Sequence, residues 1–154
     1  MAMDDFMVTG EISLDGFTTV KSQFFARQIE PAMTIWNSAI GFNAPCFQAL
    51  QRCEFVEMLI NGPGKQIAIR PISSKDPNAI NWLKGQKPEK ATTTRLECTA
   101  LMHPLFEKWN YDSNKRYRTV GRLVLVNRNL ILLFDFNEAT ASVIAKGPRD
   151  GEGV

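Results

Sequence analysis

Phe55-Val56-Glu57-Met58-Leu59-Ile60-Asn61-Gly62-Pro63-Gly64-Lys65-Gln66-Ile67-Ala68-Ile69-Arg70-Pro71 reads as two strands folded about one turn. Phe55–Ile60 is a short run of apolar and β-branched residues, which suits a strand. Asn61-Gly62-Pro63-Gly64 holds the residue types that tolerate or pre-set tight-turn backbone angles. Lys65–Pro71 alternates, with Ile67 and Ile69 on one side, and ends at a proline that cannot donate to a ladder. The spacing predicts an antiparallel hairpin with Val56, Met58 and Ile60 opposite Ile67 and Ile69.

Upstream of the hairpin, Asn43 is a good N-cap and Pro45 suits a first helical turn, so a short helix is expected over Ala44–Arg52. Cys46, Phe47, Leu50 and Cys53 recur at helical spacing as its buried face. Ile40–Phe42 and Met33–Trp36 read as strands, as does Phe17–Phe25, which is rich in aromatic and β-branched residues. Residues 1–16 read as a loose start. Downstream, residues 73–91 read as a long loop with room for one helical turn. Thr92–Glu97 is a strand. Leu101, Leu105, Phe106 and Trp109 mark a second helix, either starting near His103 with Pro104 in its first turn or running from Cys98 through Pro104. Tyr117–Val126 and Leu130–Phe136 are strands about Asn127-Arg128-Asn129. Ala139–Ala145 is helical or extended, and the tail 146–154 is expected to fray.

The sequence thus predicts an α+β fold: a mostly antiparallel sheet with two short helices, in a single domain spanning 1–154. Strand, helix and hairpin recur in that order at 40–71 and 92–136. Residue identities barely match, so this is either a tandem pair of pseudo-repeats or a common arrangement met twice.

The chain has 154 residues, 44% apolar and 22% charged, which is ordinary for a globular protein. The longest apolar run, Leu130–Phe134, is five residues, against about 20 for a spanning helix. Three cysteines without close pairing fit a reducing compartment, so a cytoplasmic protein without disulfides is expected. Net charge is +2, but residues 65–128 carry thirteen basic and five acidic side chains while 1–64 carry three and seven. Such asymmetry marks a surface for an anionic partner or a set of solvated loops.

No residue cluster reads as catalytic, and no cofactor or metal is expected. The one histidine, His103, sits beside Pro104 and suits a cap better than a general base. Cys46, Cys53 and Cys98 lack metal-ligand spacing. Asn61–Gly64 is glycine-rich but joins two strands, whereas a phosphate loop leads into a helix. Asp135 and Glu138 form one pair of nearby acids, which is little to build acid–base chemistry on.

The candidate site is basic. Lys108, Lys115, Arg116, Arg118, Arg122 and Arg128 fall within 21 residues opposed only by Asp112, with Trp109, Tyr111 and Tyr117 interleaved. Cations neutralise phosphates, and aromatic rings stack on unpaired bases, although Trp109 suits the core better than a stacking platform. On a strand, Arg116, Arg118 and Arg122 share parity and would project from one face, although Val120 has the same parity and Gly121 interrupts the pattern, so the face assignment stays open. Lys84, Lys87 and Lys90 add to the same charge block. The competing reading is a charged hairpin edge guarded against aggregation. A third surface is aromatic: Phe6, Phe17, Phe24, Phe25, Met33 and Trp36 either cover the sheet or form a homo-oligomer face.

The stretch from Asn43 through Ile67-Ala68-Ile69-Arg70-Pro71 resembles the swapped-hairpin modules of AbrB-like and MraZ-like DNA-binding proteins. More broadly, Gln23-Phe24-Phe25, Phe55–Asn61, Ala68–Pro71 with Asn78-Ala79-Ile80, Phe106-Glu107 with Trp109, Tyr117-Arg118 and Phe134-Asp135 resemble an uncharacterised accessory-protein family of conjugative mobile elements in Gram-positive bacteria. That resemblance implies an accessory role and supplies no catalytic residues. The expected function is therefore a non-enzymatic mobile-element accessory protein that binds nucleic acid through Lys108–Arg128. The alternative is a protein-interaction or assembly module, a homo-oligomer with no nucleic-acid ligand. Neither a membrane nor a small-molecule substrate is expected as partner.

Overall fold

The structure, a computed structural model, describes residues 8–20 and 30–144. Its nine strands are β1 (Ala32–Ile35), β2 (Ala39–Phe42), β3 (Phe55–Asn61), β4 (Gln66–Pro71), β5 (Ile80–Asn81), β6 (Thr94–Glu97), β7 (Lys115–Val126), β8 (Asn129–Asp135) and β9 (Thr140–Val143). Two α-helices, α1 (Ala44–Ala49) and α2 (Thr99–Lys108), follow β2 and β6, giving a mixed α+β fold.

The β3–β4 hairpin forms with Met58 opposite Ile69 and Ile60 opposite Ile67. Val56, Ile67 and Ile69 are fully buried, and Met58 and Ile60 lie half-buried against them. The turn closes because the Asn61 carboxamide oxygen accepts the Gly64 N–H at 3.0 Å and Lys65 adopts φ 56°. The second hairpin, β7–β8, turns on Asn127 and Arg128 at φ 51° and 69°, the double left-handed geometry that matches the right-handed strand twist.

All pairings are antiparallel, in the order β5-β3-β4-β8-β7-β1-β2-β6, with β9 also on β7. The 12-residue β7 spans about 36 Å and ties the two halves together. Its Gly121–Val126 portion pairs with β8, while Lys115–Val120 pairs with β9 and β1. Gly121 is needed there, since a Cβ would come within 2.6 Å of the Phe134 ring. The row curls until its two ends approach. The Thr94 hydroxyl donates to the Trp82 carbonyl at 3.0 Å, and the Lys84 ammonium donates to the Arg95 carbonyl at 2.9 Å. Inside the curl, Trp82 takes Phe42 and Phe47 edge-on at 5.2 and 4.8 Å, a favourable aromatic geometry.

The structure revises several local expectations. Helix α1 stops at Ala49, short of Arg52, because Gln51 and Arg52 turn left-handed at φ 57° and 59°. Asn43 occupies the N-cap, yet its side chain caps nothing. It accepts the Ala32 N–H at 3.0 Å and donates to the Glu30 carbonyl at 2.9 Å, pinning the start of β1. Helix α2 runs from Thr99 with Pro104 inside it, so Cys98 and not His103 holds the N-cap. The 73–91 loop contains β5 and a 3-10 turn at Pro88–Lys90. Of the 139–145 segment, Thr140–Val143 is extended as β9. Phe17–Val20 has no ladder partner among the described residues, while Phe6, Lys21–Phe25 and the tail 146–154 lie outside them. No helix among the described residues is long and apolar enough to cross a membrane.

Candidate nucleic-acid interface

Strand β7 decides which of the six basic candidates come together. Its odd residues Tyr117 and Thr119 pair with the core-facing Ile35 and Met33 of β1. Its even residues therefore project from the outer face. Arg116, Arg118 and Arg122 stand on that face over about 20 Å of strand. The Arg116 guanidinium donates to the Ser142 hydroxyl at 3.1 Å, Arg118 pairs across to Thr34 and Thr140, and Arg122 lies opposite Leu133.

The other three candidates are elsewhere. Lys115 has the opposite parity, on the Tyr117 side. Lys108 ends α2 with its ammonium against Gly62. Arg128 sits exposed at the β7–β8 turn, beyond the far end of the strand. The six are thus split among separate surfaces, with three on one face.

The interleaved aromatics are not available for stacking. Trp109 is buried and its indole N–H donates to the Gly62 carbonyl at 2.9 Å. Tyr111 and Tyr117 stack on each other, with centroids 3.6 Å apart and planes at 6°. Phe106 meets both edge-on, and the Lys65 ammonium covers Tyr111 at 4.7 Å. Burial, with Tyr117 alongside, pushes the Tyr111 hydroxyl up to about 12, so it stays neutral. These rings fasten α2 and β7 into the core.

Sequence reasoning missed a different aromatic–basic pair. Register across β6, β2, β1, β7 and β9 aligns Arg95, Gly41, Thr34, Arg118 and Thr140 in one transverse row. Trp36, just past the end of β1, lays its ring over Gly41, where a Cβ would come within 2.9 Å. Any larger residue at position 41 would lift the indole off the sheet. The Arg95 guanidinium sits 4.4 Å over that ring, within cation–π range. Between Trp36–Arg95 and Arg118 lies an outer-face depression of about 260 Å³. The signal for this pair was the alternation Thr94-Arg95-Leu96-Glu97, which throws Arg95 outward, and a tryptophan next to a strand that faces a glycine.

Two acids temper the positive charge. Glu97 bridges Arg95 at 3.0 Å, both well exposed. Asp135 lies near Arg122, but its carboxylate is held chiefly by the Asn137 backbone and side-chain N–H groups, with Arg122 a lesser contributor, and its pKa is lowered below the ordinary range.

The remaining polar groups show no convergent chemistry. His103 is exposed on α2. The Cys46 thiol donates to the Ala32 carbonyl at 3.3 Å; burial pushes it up to about 12 and Cys53 up to about 11, far from a reactive thiolate. Among the described residues no three His, Cys, Asp or Glu side chains gather as a metal site would require. No family model, curated protein or solved structure matches this chain.

Proposed function

We propose that this protein is a non-enzymatic nucleic-acid-binding protein that takes a single-stranded segment across the outer face of β6, β2, β1 and β7. One observation carries the reading: the transverse row that brings Arg95, with Trp36 beneath it, onto the same face as Arg118 and Arg116. A basic track with one planar surface is what a strand without sequence preference needs, since every base has a π-face and every nucleotide a phosphate; here that surface is the outer plane of the Arg95 guanidinium, laid over Trp36. Three strand spacings of about 4.8 Å put Arg95 and Arg118 about 14 Å apart at the backbone. Arg122 extends the track along β7. The accessory role at a mobile element rests on the family resemblance, and the geometry supports the ligand class.

We further propose that the two strand–helix–hairpin units are a tandem pair. The first is β2-α1-β3-β4 and the second β6-α2-β7-β8. In support, equivalent elements pair with each other: β2 with β6 and β4 with β8, as a two-fold relation between halves requires.

The test is fluorescence anisotropy with a labelled oligothymidine and a mixed-sequence duplex. Wild type is expected to bind the single strand at low salt and prefer it over the duplex. Trp36→Ala should weaken single-strand binding by about 0.5–1 kcal/mol, the worth of the exposed cation–π contact that holds the Arg95 guanidinium toward a base. No binding at low salt, or equal affinity of wild type and Trp36→Ala, would reject the reading.

A further inference from the structure

The curled sheet is incompletely closed, and the gap has a defined shape. Strand β5 is two residues long and, among the described residues, pairs only with Phe55 and Val56 of β3. Beyond it, Met58–Asn61 pair with β4 on one side and, among the described residues, with no strand on the other. β6 ends the row in the same way. Between these two edges opens a cleft of about 1000 Å³, lined by Met58, Ile60, Ile80, Leu96 and Leu101 among others. Every step from β3 to β6 along the sheet is antiparallel, and there are six of them (β4, β8, β7, β1, β2, β6), so β3 and β6 run the same way. One inserted strand can therefore be antiparallel to both and complete the ladder that β5 begins.

The same chain carries a segment of matching pattern. Val8-Thr9-Gly10-Glu11-Ile12-Ser13-Leu14-Asp15 alternates apolar or small residues with polar ones. It is not buried against its own chain: Val8 is 88% exposed, Ile12 80% and Leu14 72%. Isolated apolar alternation of this kind has the form of a strand with one face to bury.

We propose that the Val8–Leu14 arm of one copy inserts between β3 and β6 of a second copy, with reciprocal exchange forming a dimer. Ile12 and Leu14 then face inward among Met58, Ile60 and Leu96, while Glu11 and Ser13 face solvent. The antiparallel direction brings Asp15 to the β5 end of the cleft, where Lys84 lines the rim. The cleft's own acids are already engaged, Glu57 with Arg70 and Glu97 with Arg95, so an acidic arm meets the lysine without an unpaired carboxylate opposing it. Backbone pairing supplies affinity and the alternating pockets supply register, as in other strand-addition complexes. Reciprocal exchange uses each arm and each cleft once, so the assembly closes at two.

The experiment uses the full chain and two variants. Ile12→Asp/Leu14→Asp spoils the arm and leaves the cleft intact. Leu101→Asp spoils the cleft rim, at a residue already 38% exposed, and leaves the arm intact. Circular dichroism melts establish that both fold. Light scattering after size exclusion is expected to give a wild-type dimer in the micromolar range. Each variant should dimerise about a hundredfold more weakly, from the loss of buried aliphatic contacts. Mixing the two variants should restore a heterodimer, since one good arm and one good cleft remain. A fluorescent Val8–Gly16 peptide should bind the arm variant and not the cleft variant. A monomeric wild type, including one whose arm folds onto its own cleft, overturns the proposal. So do an arm variant as dimeric as wild type and a peptide that binds both variants equally.

Discussion

Replacing Arg95, Arg116 and Arg118 together by alanine isolates the electrostatic part of the proposed interface. The three guanidiniums project from one outer face, and Arg122 remains as a fourth, so the variant keeps about one phosphate contact of four. On single strands each neutralised phosphate contributes about 0.7 to the slope of log affinity against log salt. The wild-type slope should be about −2.8 and the variant's about −0.7. Between 50 and 200 mM salt, wild type should then lose about 50-fold in affinity and the variant only about threefold. Folding should be little affected. The Arg95–Glu97 pair, with side chains 49% and 67% exposed, contributes about 0–1 kcal/mol, and the guanidinium over Trp36 about 0.5–1 kcal/mol more. Loss of affinity should be similar for every base sequence, because phosphate contacts carry no base information. The assay is an anisotropy titration of both proteins on oligothymidine and on a mixed single strand at four salt concentrations. Parallel lines for the two proteins would refute the assignment of these arginines to phosphates, whatever their absolute affinities.

Two further outcomes follow from the fold. Ile69→Ala, which empties a fully buried position opposite Met58, should lower stability by about 2–5 kcal/mol in urea unfolding; a change under about 0.5 kcal/mol would mean that the face assignment is inverted. Asp135 has a lowered pKa in the folded chain, so its stabilising contribution is present above the unfolded carboxylate value of about 3.9 and is lost as pH falls through the lower folded value. Asp135→Asn should flatten that acid limb of a melting-temperature profile, and identical acid limbs for the two proteins would remove the carboxylate from the account.

Local physics made part of this fold legible in advance. In 55–71 and 115–135 the alternation, the turn residues and the partner strand all lie within a few residues of one another. The register of each hairpin is set by its own alternation and turn, and the backbone angles of Asn127 and Arg128 follow from the turn itself. The same alternation puts Arg116, Arg118 and Arg122 at one parity but leaves their face open, because Val120 shares that parity and Gly121 breaks the pattern; pairing of Tyr117 and Thr119 with the core-facing Ile35 and Met33 assigns it. Helix limits were less legible because tertiary contacts override local signals. Asn43 spends its side chain on β1, so α1 goes without a side-chain cap, and the packing of Met102, Leu105 and Phe106 against the core holds α2 together through Pro104. Trp109 reads as core and is buried, but Tyr111 and Tyr117 look available because sequence proximity says nothing about which face a ring finds, and they found each other.

The two hairpins, the presence of two helices, the parity of β7 and the α+β class are short-range consequences of side-chain periodicity and turn chemistry, and are readable from neighbouring residues alone. Strand order, by contrast, depends on long-range packing. Pairing β2 with β6, β1 with β7 and β4 with β8 joins segments separated by long loops, and an exposed strand edge offers the same N–H and C=O groups to any partner. The choice among partners is made by which faces bury together. That choice put residues 36, 41, 95 and 118 on one outer surface and left β3 and β6 facing each other across an apolar gap.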